Sequence, residues 1–394
     1  MEHSKKSTQK DKTVQNLIKK GPLLPAGGPV LKKETSSITK KPSAKKSEKS
    51  SAESESSQGR KKIALALQGG GSHGAFTWGV LDALLEDDQL DVEGVCGTSA
   101  GGMNATALAQ GITEGGNLGA RIKLKELWTA IGEGGRYSLM NPSYKDKMIR
   151  NFQVSKNPFF KFMEYISTVF SPYQLNPMNH HPLSDMANKV FDFKKLQTTD
   201  KIKLYLCATH VATGKLKIFT GKDISKEALL ASACVPQLFQ AVDVNGEFYW
   251  DGGFIGNPAI YPLIYDCQTP DVVVIQIRRT HDSKLPVTVH DIQNRLGEIT
   301  QNSCLTREMR SISFITKLLD DGTIPAGKIK RLNMHMIRDD DFFGTLERAS
   351  GFCSDPDFLE HLFKAGKRCG KNWLRENYES IGVKSTANID KDFV

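Results

Sequence analysis

Residues 63–104 read IALALQGGGSHGAFTWGVLDALLEDDQLDVEGVCGTSAGGMN, and their apolar rhythm decides the fold class. The run 63–67 is short, continuous and apolar, and it closes on Gly69-Gly70-Gly71-Ser72-His73-Gly74, as a buried strand does when it enters a turn. Residues 75–85 then place Trp78, Leu81, Leu84 and Leu85 at helical spacing. A second apolar run, 92–96, meets Gly97-Thr98-Ser99-Ala100-Gly101 ahead of a helix of small residues over 100–109. Strand, helix, strand, helix implies a parallel sheet with helices packed on it.

The same reading predicts further strands at 202–208, 215–219, 272–277 and 332–337, and helices at 225–233, 291–319 and 356–378. This is one α/β domain with helical insertions and no internal repeat. Between 151 and 175 lies Phe159-Phe160-Lys161-Phe162-Met163-Glu164-Tyr165-Ile166, followed by Val169-Phe170. Periodicity alone reads this segment equally as a lid or acyl-chain wall and as a core helix.

Of the net charge of +9, most sits in residues 1–59, which carry 13 Lys against 6 acidic side chains, whereas 60–394 carries 40 basic and 38 acidic. That segment has no aromatic residue and no Arg, and too little apolar surface to offset the entropy of ordering. It reads as a disordered tail ahead of a catalytic domain over 60–394. Its lysine pairs suit either a solvated linker or contact with anionic lipid headgroups, where each Lys contributes on the order of 1 kcal/mol. No nucleic-acid partner is expected, because stacking aromatics are missing from the tail and the body is nearly neutral. No run nears the ~18 apolar residues of a membrane-spanning helix, and no apolar stretch follows the first lysines. Seven scattered cysteines without C-x-x-C pairing argue against a disulfide framework and a zinc site. The expected location is cytoplasmic, peripheral at a membrane, or that of an effector secreted without a conventional signal peptide.

Gly97-Thr98-Ser99-Ala100-Gly101 has the G-x-S-x-G form of a nucleophile elbow, in which small residues flank a serine on a tight strand-to-helix bend. The first glycine turn can present backbone N–H donors to an oxyanion. It also satisfies a dinucleotide fingerprint, Gly69-x-Gly71-x-x-Gly74 with Asp91 and Glu93 downstream. The elbow decides against that rival, since a nucleotide fold gives no reason for an exposed serine framed by glycines on the next strand. Ser99 needs a base. His281 and His290, which follow Asp251, keep a Ser-His-Asp triad open, while Asp251 itself, between Phe248-Tyr249-Trp250 and Gly252-Gly253, is a carboxylate whose basicity burial would raise.

Together these elements resemble the signature of the patatin-like phospholipase family, bacterial-type members included: a G-G-G-x-[RK]-G loop, a G-x-S-x-G elbow and a D-G-[AG] triplet. The segment Ala231-Ser232-Ala233-Cys234-Val235-Pro236-Gln237-Leu238-Phe239 resembles the stretch before the family's aspartate, and Asn257-Pro258 fits as well. The likeness runs from about Lys61 through the 272–277 strand and is looser after Arg278. It implies a three-layer α/β fold with a mainly parallel central sheet flanked by helices. It also implies a lipid acyl hydrolase that cleaves carboxylic esters through a Ser99 acyl-enzyme, with Asp251 as base and with no cofactor or metal. The oxyanion hole then falls on Gly69, Gly70, Gly71, Ser72, His73 and Gly74, chiefly the Gly70-Gly71 amides, with the Ala100 N–H as a supplement. Gly97, Gly101, Gly252 and Gly253 support the two motifs. His73 departs from the pattern, because it stands where the family carries Arg or Lys and holds a charge only below about pH 6.5 in ordinary surroundings. Polyesters or thioesters as substrates, an α/β-hydrolase-type esterase with a triad, and a non-catalytic lipid-binding protein are the alternatives.

Overall fold

The computed structural model describes residues 59–136, 138, 141 and 152–394, without the side chain of His290. The tail expected over 1–59 lies outside them, Gly59 excepted.

Among the described residues eight strands form one sheet. At its centre β1 (Lys61–Leu67) pairs in parallel with β2 (Leu90–Thr98) on one side and with β7 (Asp271–Ile275) on the other. Beyond them, β3 (Lys203–His210) is parallel to β2, and β8 (Asn333–Ile337) is parallel to β7. Two strands run the other way, β4 (Leu216–Thr220) and β6 (Glu247–Asp251), both antiparallel to β3; β5 (Val242–Val244), antiparallel to β6, again runs with the central strands. Helices of six or more residues are α1 (Gly74–Glu86), α2 (Ala100–Gly135), α3 (Pro158–Val169), α4 (Pro182–Val190), α5 (Phe193–Thr198), α6 (Lys226–Ser232), α7 (Tyr261–Asp266), α8 (Val289–Asp320) and α9 (Pro356–Asn377).

The continuous apolar run of β1 is a consequence of having both faces covered. Successive side chains point to opposite sides. Ile63, Leu65 and Leu67 join a cluster with Phe76 of α1, Leu108 and Leu127 of α2 and Phe358 of α9. Ala64 and Ala66 face the other way, toward Cys96, Val272, Val274 and the α8 residues Leu305 and Met309. This makes three layers, helix on sheet on helix, and burying each of the three large β1 side chains contributes about 1.5–3 kcal/mol.

Three features go beyond the sequence expectations. The sheet is mixed at its β3 end, where the hairpin β5–β6 turns on Asn245 and Gly246, both at positive φ (58° and 85°) as a two-residue type I′ loop requires. The helix expected to end near residue 109 continues to Gly135, interrupted at Gly115-Gly116, with Leu124, Leu127 and Trp128 buried in its second half. The segment read as lid or core helix forms α3, capped by Asn157 through the Phe159 and Phe160 N–H groups. None of its residues is fully buried, so it is no core helix. Phe160 leans on Phe352, with ring centroids 6.3 Å apart, while Phe162, Tyr165 and Val169 are exposed. No helix of the described residues is long and apolar enough to cross a membrane.

Candidate active site

Ser99 follows the last residue of β2 and occupies the N-cap position of α2 with φ 56° and ψ −124°. A non-glycine residue held there costs about 1–3 kcal/mol, so its surroundings must impose the bend. They do so by close backbone approach. A Cβ on Gly97 would strike the Gly101 carbonyl, and one on Gly101 would strike the carbonyl of Leu67. The Ser99 N–H donates to Ser232 Oγ at 3.0 Å, which ties the bend to the end of α6.

Asp251 reaches this point by sheet register. Along one edge of β3, β2 pairs up to Thr98↔Cys207, and the next partner on β3, Ala208, belongs to Asp251. Because β4 occupies the opposite edge of β3 over the same residues, β6 must enter the edge that β2 vacates. Its last residue therefore abuts the elbow. Gly252 completes the fit, since a Cβ there would strike the Cys207 carbonyl and come within 3.0 Å of the Thr98 methyl. The Asp251 N–H donates to the Cys234 carbonyl at 2.8 Å, and its own carbonyl accepts from Thr209 Oγ1 at 2.8 Å.

The carboxyl is buried and accepts the Gly253 N–H at 2.7 Å. Burial pushes its pKa up from 3.8 to about 6, against the pull of the Gly253 N–H, of the Ser99 hydroxyl close enough to bond to it, and of the Arg278 charge. A carboxylate so placed and so tuned can accept a serine proton near neutrality.

The first glycine turn packs directly on the serine, for a Cβ at Gly69 would lie 2.8 Å from Ser99 Cβ. Asn257 clamps this residue from both sides: its Oδ1 accepts the Gly69 N–H at 2.6 Å and its Nδ2 donates to the Gly69 carbonyl at 3.5 Å. The Gly74 N–H turns back to the Gly71 and Ser72 carbonyls. Two of the six expected loop residues thus have their N–H groups engaged inside the protein. The first-turn N–H groups of α2, beginning with Ala100, follow Ser99 directly and have no partner within the helix.

His73 is buried, with Nε2 2.8 Å from Ser350 Oγ and its ring against Phe343 and Phe358. Burial, then the nearby Arg278 charge, lowers its pKa to about 3. It is a neutral structural ring. Four other imidazoles are held elsewhere, His181 stacked on Phe239, His210 on Glu247 and Thr213, His335 on Asp271 and Thr386, and His361 against Phe152 and Phe342, while His180 is exposed. His281 is exposed. Among the described residues no group of three or more His, Cys, Asp or Glu side chains is arranged to hold a metal ion.

Four residues of this site carry no motif signal. They are Ser232, Asn257, Arg278 and Gln68, whose Oε1 accepts the Ile277 and Arg278 N–H groups at 2.9 and 3.0 Å. Ser232 and Asn257 lie in segments that already resembled the family's, while Gln68 could have been suspected only as a polar residue ending an apolar strand.

The family profile described as patatin-like phospholipase matches residues 65–264. Among solved structures, VipD from Legionella pneumophila is 14% identical, with 78% of this chain and 67% of that chain covered and a TM-score of 0.31. A comparison with curated proteins gives no match. The profile spans half of the chain and takes in the glycine loop, the elbow and the aspartate triplet together, and by it the chain belongs to the patatin-like phospholipase family, a family of lipid acyl hydrolases.

Proposed function

We propose that the protein hydrolyses carboxylic esters of membrane lipids through a Ser99–Asp251 dyad. The observation that carries this reading is the entry of β6 on the β3 edge just beyond β2, which brings a buried carboxyl with a pKa of about 6 to the serine of a strained elbow. In the acylation step Asp251 takes the Ser99 proton as Oγ attacks the ester carbonyl. The protonated carboxyl then returns the proton to the departing alkoxide. Water enters, gives its proton to Asp251 and attacks the acyl-enzyme; as the Oγ–acyl bond breaks, Asp251 returns that proton to Ser99 and the fatty acid leaves.

Backbone N–H groups of Gly70 and Gly71, with Ala100 opposite, receive the oxyanion in both halves of the reaction. Gly69 serves differently, because its N–H is committed to Asn257; it brings the loop against the serine. Removing one oxyanion donor in such a site costs about 2.7–4 kcal/mol. The exposed aromatic face of α3 and the lysines of residues 1–59 are the parts we assign to contact with the lipid surface.

The test is labelling by a serine-directed fluorophosphonate together with product analysis on mixed phospholipids. Labelling and fatty-acid release are expected from the wild type and not from Ser99→Ala. Asp251→Ala loses hydrolysis by on the order of 10⁴-fold or more, whereas His281→Ala and His290→Ala keep it. Loss in either histidine variant would establish the triad instead, and wild-type protein that neither labels nor turns over would reduce it to a lipid binder.

A further inference from the structure

Just past β7, Arg278 lies at the back of the glycine loop. Its Nη2 would be 3.5 Å from a Cβ on Gly70, its backbone N–H is fixed by Gln68, and its Nε is buried with no hydrogen-bond partner. Next to it stands Arg348. Among the described residues neither guanidinium has an ion pair or a side-chain hydrogen bond. The nearby acids are committed: Glu298 binds Arg279 and Arg295, and Glu347 receives the Ser155 N–H and hydroxyl. Both arginines line a small cavity with His73, Ile277, Glu298 and Phe343.

A second observation concerns the path of Arg348 over α8. Gly297 stands inside α8, where glycine costs about 0.5–1 kcal/mol relative to alanine. A Cβ there would come within 2.6 Å of the Arg348 Cζ. The helix thus carries a glycine where the guanidinium crosses it.

We infer that Arg278, backed by Arg348, is a cationic subsite beside the oxyanion loop that takes the phosphate of a phospholipid whose ester lies at Ser99. The two guanidinium charges repel at this distance, Glu298 and Asp251 offset that only in part, and a doubly hydrogen-bonding anion reaching both would relieve it. Burial, then repulsion by Arg348, lowers the Arg278 pKa to about 10, which still leaves it charged at neutral pH. His73 contributes no charge here. Asp251 contributes attraction but remains the base, since its carboxyl already accepts the Gly253 N–H. Arginine suits the task because its planar fork matches phosphate oxygens.

This inference rests on the Ser99–Asp251 reading, and the experiment separates the two. Full-length wild type, Arg278→Gln, Arg348→Gln and Ser99→Ala are assayed on a phosphatidylglycerol and on the matching diacylglycerol in the same detergent micelles. The quantity read is the ratio of kcat/KM values, phospholipid over neutral lipid. Expected is a ratio lowered by on the order of 10- to 100-fold in each arginine variant, the loss of a charge-assisted contact, with fluorophosphonate labelling retained by Arg348→Gln as evidence of folding. Arg348→Lys should restore part of the ratio. Inorganic phosphate that inhibits both substrates equally in the wild type, and less in the variants, would assign the subsite to free phosphate instead of a headgroup. An unchanged ratio overturns the inference while the dyad stands; hydrolysis by Ser99→Ala overturns the dyad itself.

Discussion

Around Ser99 the backbone is so tightly packed that Gly97, Gly101 and Gly252 each face a carbonyl oxygen, whereas from α3 to Met178 the chain turns Phe162, Tyr165, Val169, Tyr173 and Met178 to solvent. Both regions belong to the proposed work on lipids, and they are built in opposite ways. The chemistry depends on reacting atoms held to fractions of an ångström, and it is served by backbone that nothing can enter. Acyl chains in a lipid aggregate have no fixed geometry, and what they reward is exposed apolar area. Precision is spent where bonds change. Tyr173, whose hydroxyl accepts from the Ala241 N–H at 3.3 Å, and Asn176, whose carbonyl accepts from Gln240 at 2.7 Å, connect the exposed segment to the loop that precedes β5.

The largest break in this contrast should come from a single methyl group on the tight side. Gly101→Ala pushes Cβ into the Leu67 carbonyl, and the elbow can yield only by moving Ser99 away from Asp251. Overpacking of this kind costs about 1–3 kcal/mol in stability, and a displacement near 1 Å lowers turnover by about 10²-fold. Thermal unfolding and ester hydrolysis check both. A variant with wild-type activity would mean that the close approach is incidental.

A smaller effect, of opposite sign for stability, is expected at Asp251. Its pKa rises from 3.8 in an unfolded chain to about 6 in the fold. Between those values the native state holds a proton that the unfolded chain has released, so stability falls as pH rises through this window. Above it the buried carboxylate costs about 3 kcal/mol. Asp251→Asn, which keeps an acceptor for the Gly253 N–H, should be inactive yet more stable than the wild type at pH 7–8 by about 1–3 kcal/mol, with the advantage gone near pH 4. Wild-type activity should climb through about pH 6 as the base ionises. Denaturant titrations at the two pH values and a pH–rate profile measure these. A variant less stable at pH 7 would contradict the assigned burial cost.

The tight region was the more legible of the two in the sequence, and the reason is locality. Gly97 to Gly101 and Gly69 to Gly74 each sit within one turn, and apolar runs mark the buried strands that lead into them. Asp251 was readable because its neighbours are unusual. What sequence could not give was pairing across distance: Gln68 reaches Ile277 and Arg278, Ser232 reaches Ser99, and Asn257 reaches Gly69. The loss of charge at His73 depends on burial against Phe343 and Phe358 and then on the Arg278 charge, which only the folded chain brings to it. The β5–β6 hairpin did have a signal, Asn245-Gly246 between alternating residues, and it escaped because two short strands carry little apolar weight. For the 158–169 helix no pattern could decide, since an apolar stripe looks the same whether protein or lipid covers it.

That last ambiguity defines the smallest expected effect and the test of the loose side. Replacing Phe162 and Tyr165 together with Asp leaves the core untouched, because both side chains are exposed and only Phe160 of this stretch leans inward. Unfolding should shift by no more than about 0.5 kcal/mol, and hydrolysis of a short-chain soluble ester should not change. On phospholipid vesicles activity should drop by about tenfold, since each aromatic forfeits on the order of 1 kcal/mol of interfacial burial and each Asp adds repulsion from anionic headgroups. Ionic strength then separates this face from residues 1–59: apolar insertion persists at 1 M salt, where the Debye length is about 3 Å, whereas lysine contacts fade. Vesicle binding by the chain lacking 1–59 should be weaker at low salt and equal to wild type at high salt. Equal loss on vesicles and on the soluble ester in the Phe162/Tyr165 variant would show that α3 supports the active site itself, and the division between a rigid chemical corner and an adaptable lipid face would fall.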